Sequence, residues 1–348
     1  MIRLRPLFTL VVIQLFSQAY AQELKIAFGS CNEQDKYNLP IWQAIQSKQP
    51  DVFIFLGDNA YIDSEDPNKF KTDYEALFSN PGIVALKQST DIMATWDDHD
   101  YGENDGGKNF VAKHIAKKAF IEAFDYPEIN DLPKEQGIYH SRLLNLDDKK
   151  IRIVMLDTRW YRDDLLTNNL SEETRDALQL GPYRPYYRTD KTLLGAEQWQ
   201  WLEQLMAEPT DLTIIATSIQ FVSEYTAWEI WANFPHERNR MIELIRETNP
   251  GKVIFISGDV HRGETSMLPI DDMKIFDITA GPLSSTAYPG KPNIHRYGGV
   301  FAELNFGMLT IQHSGGQLSV KSGLYNNVGE PLEEFRVPLK RVPLKTEE

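Results

Sequence analysis

Short apolar runs, mostly β-branched or aromatic and nearly free of charge, recur along the chain at 24–28, 52–56, 92–95, 151–156, 212–217 and 253–257. Runs of this length without polar alternation suit strands covered on both faces, so each predicts a buried strand. The intervals between them carry helical spacing instead, at 40–48, 70–78, 110–124, 195–206 and 235–247. In the fourth of these, Trp199, Leu202, Leu205 and Met206 fall on one helical face. Strands alternating with helices predict an α/β fold. Beyond them the pattern changes: 273–279, 308–313 and 317–322 alternate apolar with polar residues, and Ser314-Gly315-Gly316 turns the chain between the last two. That predicts an antiparallel hairpin. A layered sandwich of mixed sheets with outer helices fits this better than a doubly wound sheet.

No linker rich in Pro, Gly or Ser divides the chain, so residues 22–336 read as one domain. Residues 337–348, basic and then acidic, read as a loosely held tail. Two long stretches without periodicity, 161–190 and 281–299, read as candidate lids.

The first 21 residues stand apart. Arg3 and Arg5 precede an apolar run at 7–16, and Ala19-Tyr20-Ala21 precedes Gln22. This is the layout of a secretory leader, and the run is shorter than the ~20 residues a membrane anchor needs. Leu4 separates the two arginines, which favours Sec-type export over the twin-arginine route. The expected product is a periplasmic or secreted protein without a membrane span. Its single cysteine, Cys31, allows no intramolecular disulfide. In an oxidising compartment such a thiol is either buried and inert or held by something such as a metal. A formal net charge of −14 excludes a nucleic-acid backbone as the main ligand. It leaves room for a small phosphorylated ester held through bound cations.

Polar residues cluster just after the predicted strands, at the edge where α/β sheets bind ligands. Ser30-Cys31-Asn32 follows the first strand and Gly57-Asp58-Asn59-Ala60-Tyr61 the second. Asp97-Asp98-His99-Asp100 follows the third, Asp157-Thr158-Arg159 the fourth, and Gly258-Asp259-Val260-His261 follows 253–257. Turns alone favour Asn, Asp and Gly, and do not explain Cys, His and Tyr in the same series. Carboxylate, imidazole, thiolate and phenolate together make a metal site. Asp58 is placed to bridge two ions, with Cys31 and Tyr61 beside one and Asp98 beside the other. Thiolate with phenolate suits a ferric ion, and the oxygen donors suit calcium or another divalent ion such as zinc, manganese or magnesium. Arg159 reads as a fork for phosphate oxygens. Asp157 is either its orienting partner or a strand-end cap. Asn104 and Asp105 are either ligands of the second ion or turn residues.

These motifs resemble the calcineurin-like metallophosphoesterases, and within them the alkaline phosphatase D branch. That branch departs from the wider superfamily where this chain does, at Cys31, Tyr61, Asp98 and Asp259. Asp157-Thr158-Arg159, Gln198-Trp199-Gln200-Trp201-Leu202 and Asn233-Phe234-Pro235-His236-Glu237-Arg238 add to the likeness, which runs from about residue 26 to 313. The resemblance implies a four-layer αββα core, a mixed iron and calcium centre, and His99 as phosphate contact and general acid. It also makes Gln220 the candidate for the superfamily's lone histidine. The implied function is an exported phosphoesterase acting on phosphomonoesters by attack of a metal-bound hydroxide. The alternatives are a diesterase of phospholipase D type, and a non-catalytic secreted binding module on the same scaffold. The tyrosines and arginines at 183–188 either select an aromatic leaving group or pack a lid, and Trp228 and Trp231 read as packing.

Overall fold

The computed structural model describes residues 22–224, 226–248 and 252–339. The expected leader at 1–21, and 340–348 of the expected tail, lie outside the described residues. The strands are β1 (Gln22–Gly29), β2 (Val52–Leu56), β3 (Asp91–Thr95), β4 (His140–Leu146), β5 (Lys149–Met155), β6 (Leu212–Ala216) and β7 (Val253–Ser257). They continue with β8 (Gly263–Ile270), β9 (Met273–Thr279), β10 (Arg296–Phe301), β11 (Asn305–Ser314), β12 (Gln317–Asn326) and β13 (Pro331–Val337). The helices are α1 (Leu39–Ser47), α2 (Pro67–Ser79), α3 (Pro81–Leu86), α4 (Asp98–Tyr101), α5 (Lys113–Phe124), α6 (Pro127–Asn130), α7 (Glu172–Leu178), α8 (Gly195–Ala207) and α9 (Pro235–Thr248).

Two mixed sheets result, in the orders β13-β12-β11-β1-β2-β3 and β10-β8-β9-β7-β6-β5-β4. β1, β2 and β3 run parallel in the first, with β11 antiparallel to β1. β5, β6, β7 and β9 run parallel in the second. Period-two alternation, with both faces of the sheets covered, explains why the predicted strands carry few polar residues. In β2, Phe53 and Phe55 enter an outer core with Trp42 of α1, Phe70 of α2, Ile83 of α3 and Phe120 of α5. Val52, Ile54 and Leu56 face the second sheet's Ile153, Ile214 and Ile254. That sheet's other face, with Val154, Ile215 and Phe255, packs under Trp199 and Leu202 of α8 and Met241 of α9. Three cores between four layers make the αββα sandwich.

The expected hairpin is β11–β12, with Ser314 opposite Gln317. Strands β4 and β13 had no apolar run to announce them, because they lie at sheet edges and leave most side chains half exposed. Val337, read as the start of a loose tail, is instead the buried last residue of β13, opposite Val320. The stretch 161–190 is not wholly irregular, since it contains α7, which buries none of its residues.

Candidate metal centre

The parallel strands of both sheets end along one edge, and two glycines decide how closely their turns approach. Gly57 has φ +101°, and a Cβ there would lie 2.8 Å from the Asp97 nitrogen. A Cβ on Gly258 would lie 2.5 Å from Ser30 Oγ. Glycine therefore lets the turn after β2 close on that after β3, and the turn after β7 on that after β1. Cys31, Asp58, Asp259 and His261 follow with φ of 57°, 51°, 65° and 53°. Left-handed backbone in such residues costs roughly 1–2 kcal/mol, a strain that clusters at functional sites.

Four donor groups converge there. Cys31, Asp58 and His261 offer ligand atoms within 4.8 Å of one another. Tyr61 joins them, its Oη 2.9 Å from His261 Nε2 and 3.5 Å from Asp58 Oδ2. His261 Nδ1 lies 2.7 Å from the Thr286 carbonyl oxygen. A carbonyl can only accept, so Nδ1 carries the proton and Nε2 keeps its lone pair for a ligand. Asp58 also groups with Asp98 and His99, and Asp98 with Asp97 and Asp259. A further group joins Asp98 to Asp105 and Glu229.

The electrostatics call for a cation. Burial, and then the charges of Asp98 and Asp97, push the Asp58 and Asp259 carboxyls well above the usual range. Burial and the Asp58 charge push up the Cys31 thiol in the same way. Asp97 Oδ2 and Asp98 Oδ1 are buried without a hydrogen-bond partner. Clustered acids with unmet acceptor atoms are costly unless a cation completes them, so the residues present fit a metal pair. Asp58 is shared between the group with Cys31 and His261 and the group with Asp98 and His99.

Asp58, Tyr61, Asp98, Asp259 and His261 floor a cavity of about 640 Å³ that also takes in His99 and Asn104, whereas Cys31 and Asp97 are fully buried and do not line it. His99 Nδ1 meets Asp63 Oδ1 at 2.8 Å. Burial opposes its charge, but the Asp63 hydrogen bond and the Asp98 charge prevail and raise the imidazole to about 9. With Nδ1 taken by Asp63, a protonated His99 has Nε2–H left to donate. Asn104 reaches Asp105 Oδ2 at 3.0 Å.

Three expected site residues stand elsewhere. Arg159 is fully buried and lines no part of the cavity. Its guanidinium binds Asp97 through Nε at 2.7 Å and through Nη2, and Glu229 through Nη1 at 2.7 Å. It neutralises the acidic floor from behind and does not fork onto a ligand in the cavity. Asp157 is a strand-end cap: Oδ1 accepts from Trp96 Nε1, Arg159 N and Trp160 N, and Oδ2 from Ile138 N. Gln220 donates to Glu264 and Thr279, each at 2.9 Å, away from the cavity.

Sequence reasoning passed over Asp63 and Glu229, and gave Asp97 no role of its own although it opens the Asp97-Asp98-His99-Asp100 motif. Glu229 carried a signal as a lone carboxylate inside Trp228-Glu229-Ile230-Trp231, and Asp63 carried none. Of the two expected lids, 281–299 supplies wall residues, whereas 161–190 braces the site from outside. Tyr183 Oη donates to Asp105, and Tyr183 N donates to Ala227 O at 2.9 Å.

The sequence pattern of the PhoD-like phosphatases matches residues 26–315. Alkaline phosphatase D of Bacillus subtilis (strain 168) is 25% identical over 314 residues, covering 78% of this chain and 51% of that protein. The chain thus spans about half the length of this curated relative. Among solved structures, PhoD superposes with a TM-score of 0.69 at 19% identity, over 92% of this chain and 72% of that one. GAP50 of Plasmodium, described as the anchor in the inner membrane complex, gives 0.59 at 13% identity over 92% and 90%. A dimetal phosphatase from Danio rerio gives 0.50 at 11% identity over 91% and 99%. At these identities the structures show a shared fold.

Proposed function

The chain belongs to the PhoD-like phosphatase family, and from that premise we propose that it is an exported metal-dependent phosphoesterase that hydrolyses phosphomonoesters. One observation carries the reading: Asp58, Tyr61, Asp98, Asp259 and His261 line one cavity, Cys31 lies buried beside Asp58 and His261, and burial with neighbouring acids holds the Asp58 and Asp259 carboxyls well above the usual range. Cys31, Tyr61 and His261 would hold an iron ion, Asp98 and Asp259 a calcium ion, and Asp58 would face both. Bound there, the ions would neutralise phosphoryl oxygens and make a water acidic enough to lose its proton near neutral pH. His99 sits at the cavity, kept charged by Asp63 on Nδ1, and gives its Nε2 proton to the departing ester oxygen. Arg159 holds Asp97 fixed, so the adjoining Asp98 keeps its place on the floor.

Residues 1–21 serve as the cleaved leader, and no described helix is long and apolar enough to cross a membrane. The intact mass of exported protein should begin near Gln22. A non-catalytic role is the competing reading, since GAP50 is described as an anchor. The complete donor set speaks against it. The test combines elemental analysis, visible absorption and turnover of p-nitrophenyl phosphate against its bis ester. Iron with calcium, a tyrosinate–iron band and preference for the monoester are expected. A colourless, iron-free protein that is fully active would overturn the iron assignment, and one inactive on both esters would overturn the enzyme reading.

A further inference from the structure

Two large aromatic side chains line the same cavity while remaining about half exposed, Trp228 at 44% and Tyr288 at 51%. Aromatic faces left half exposed at a cavity are free to stack on a flat ligand. Neither ring is a loose surface group. Trp228 lies against Gly181, where an added Cβ would come 2.7 Å from Cδ2 of the indole. The preceding Ala227 is held at φ 57°, and Gly181 N and Tyr183 N bond the Thr226 and Ala227 carbonyls at 3.0 and 2.9 Å. Tyr288 stacks on His261 with ring centroids 5.0 Å apart and an interplanar angle of 18°. Its N–H donates to the His261 carbonyl at 2.9 Å.

Both rings are therefore seated next to candidate ligands, one adjoining Glu229 in sequence and the other resting on His261. Lys291 Nζ lies 6.0 Å from the Trp228 centroid, the outer limit of a cation–π contact, and leaves the indole available to a tighter partner. The cavity volume of about 640 Å³ falls in the range that encloses a drug-sized molecule, well beyond a phosphate group. Trp231, by contrast, is fully buried, and along 183–188 Tyr186 packs on Phe234 while Tyr187 points to solvent.

We propose that Trp228 and Tyr288 form a stacking site for a planar aromatic leaving group, so that the preferred substrates are phosphoesters of aromatic alcohols or of nucleosides. The proposal rests on the phosphoesterase reading above. Stacking is tolerant of ring identity because every planar base or aryl ring presents a π-face, so the shared chemistry is the flat ring.

The experiment compares adenosine 5′-monophosphate, phenyl phosphate and ribose 5-phosphate in the metal-loaded wild type, Trp228→Leu and Tyr288→Leu. The first and third release the same kind of primary alkoxide and differ only by the base. Each aromatic ester is read as its kcat/KM relative to ribose 5-phosphate, which removes any general effect on the centre. Loss of one ring should lower at least one of these ratios about tenfold. A fall for the nucleotide assigns a nucleoside leaving group, and a fall for phenyl phosphate an aryl one. Intrinsic fluorescence adds a reading independent of turnover, since adenosine or phenol should quench the wild type and Trp228→Leu should lose that quench. Ratios unchanged in both variants, with no quench in the wild type, would overturn the stacking site and leave the phosphoesterase standing. If none of the three esters is turned over, the phosphoesterase reading fails and the quench alone decides the stacking site.

Discussion

His99 and Asp63 stand 36 residues apart and meet at 2.8 Å, which fixes one ring proton on Nδ1 toward Asp63 and leaves Nε2–H to donate. A histidine held at about 9 keeps its proton through neutral pH and loses it as the pH rises past that value. Proton donation to a poor leaving group should fail over the same interval. Asp63→Asn removes the partner charge, so the alkaline limb of kcat for an alkyl phosphate should move to lower pH, toward the ordinary histidine value. The limb for p-nitrophenyl phosphate should stay in place, because that leaving group needs no proton. His99→Ala should lower alkyl ester turnover by about 10²–10⁴-fold. Identical pH limbs in Asp63→Asn and wild type would remove Asp63 from the mechanism. Cys31 offers a second residue-level test. Serine there keeps the volume but is not ionised near neutral pH, so Cys31→Ser should fold, lose the visible band and lose iron. Retained iron and turnover would return Cys31 to the role of a buried, inert thiol.

At the scale of elements, the centre depends on turns that approach one another more closely than side chains allow. Gly258→Ala would push a methyl group against Ser30, where the turn after β7 meets the turn after β1. Overpacking of this kind costs about 1–3 kcal/mol, and here it should separate Asp259 from Cys31. Urea unfolding together with metal content checks both effects. The 161–190 stretch reaches the site through Arg162, whose guanidinium pairs with Glu229 at 3.0 Å and donates to the Asp105 carbonyl, and through the Tyr183 hydroxyl on Asp105. Tyr183→Phe keeps the ring and removes that hydrogen bond. Groups that orient a metal ligand from behind are typically worth 10–100-fold in affinity, so calcium binding should weaken by about tenfold. The melting temperature should hardly move. A calcium titration unchanged in Tyr183→Phe would remove the Tyr183 hydroxyl from the calcium site and leave Arg162 as the contact of this stretch with it.

For the whole molecule, the centre lies where two sheets meet, and its buried acids oppose that meeting unless cations neutralise them. Asp58 and Asp259 have carboxyls raised above the unfolded range. Between the unfolded and folded values the native chain binds the extra protons, so stability falls as pH rises across that window. Chelated protein should therefore melt at a lower temperature at about pH 8 than at about pH 5, by roughly 2–4 °C per kcal/mol for domains of 150–250 residues. Restoring iron and calcium should narrow the gap, because cations replace the protons. Asp259→Asn should narrow it without metal. Thermal melts at the two pH values, with and without chelator, check this, and equal melting temperatures in the chelated protein would show that the acids do not oppose folding.

Much of this was legible in the sequence because burial on both faces leaves a local mark. Strand 52–56 is apolar at every position, and 253–257 at all but Ser257, since their apolar side chains enter one of two cores. Cys31, Asp58, Tyr61, Asp98, Asp259 and His261 were equally legible, because each follows a buried strand within a few residues and the sheet edge gathers them. Edge strands β4 and β13 left no such mark, being half exposed and polar. Side-chain direction was not legible either. Arg159 and Gln220 occupy strand ends like the others, yet Asp97 and Glu229 draw the first inward, and Glu264 and Thr279 the second. The pairing of Asp63 with His99, and the seating of Trp228 on Gly181, join residues distant in sequence. Which strand ends a side chain serves is fixed by hydrophobic burial along the chain, whereas which partner it finds is fixed by the packing of turns, and that exists only once both sheets are in place.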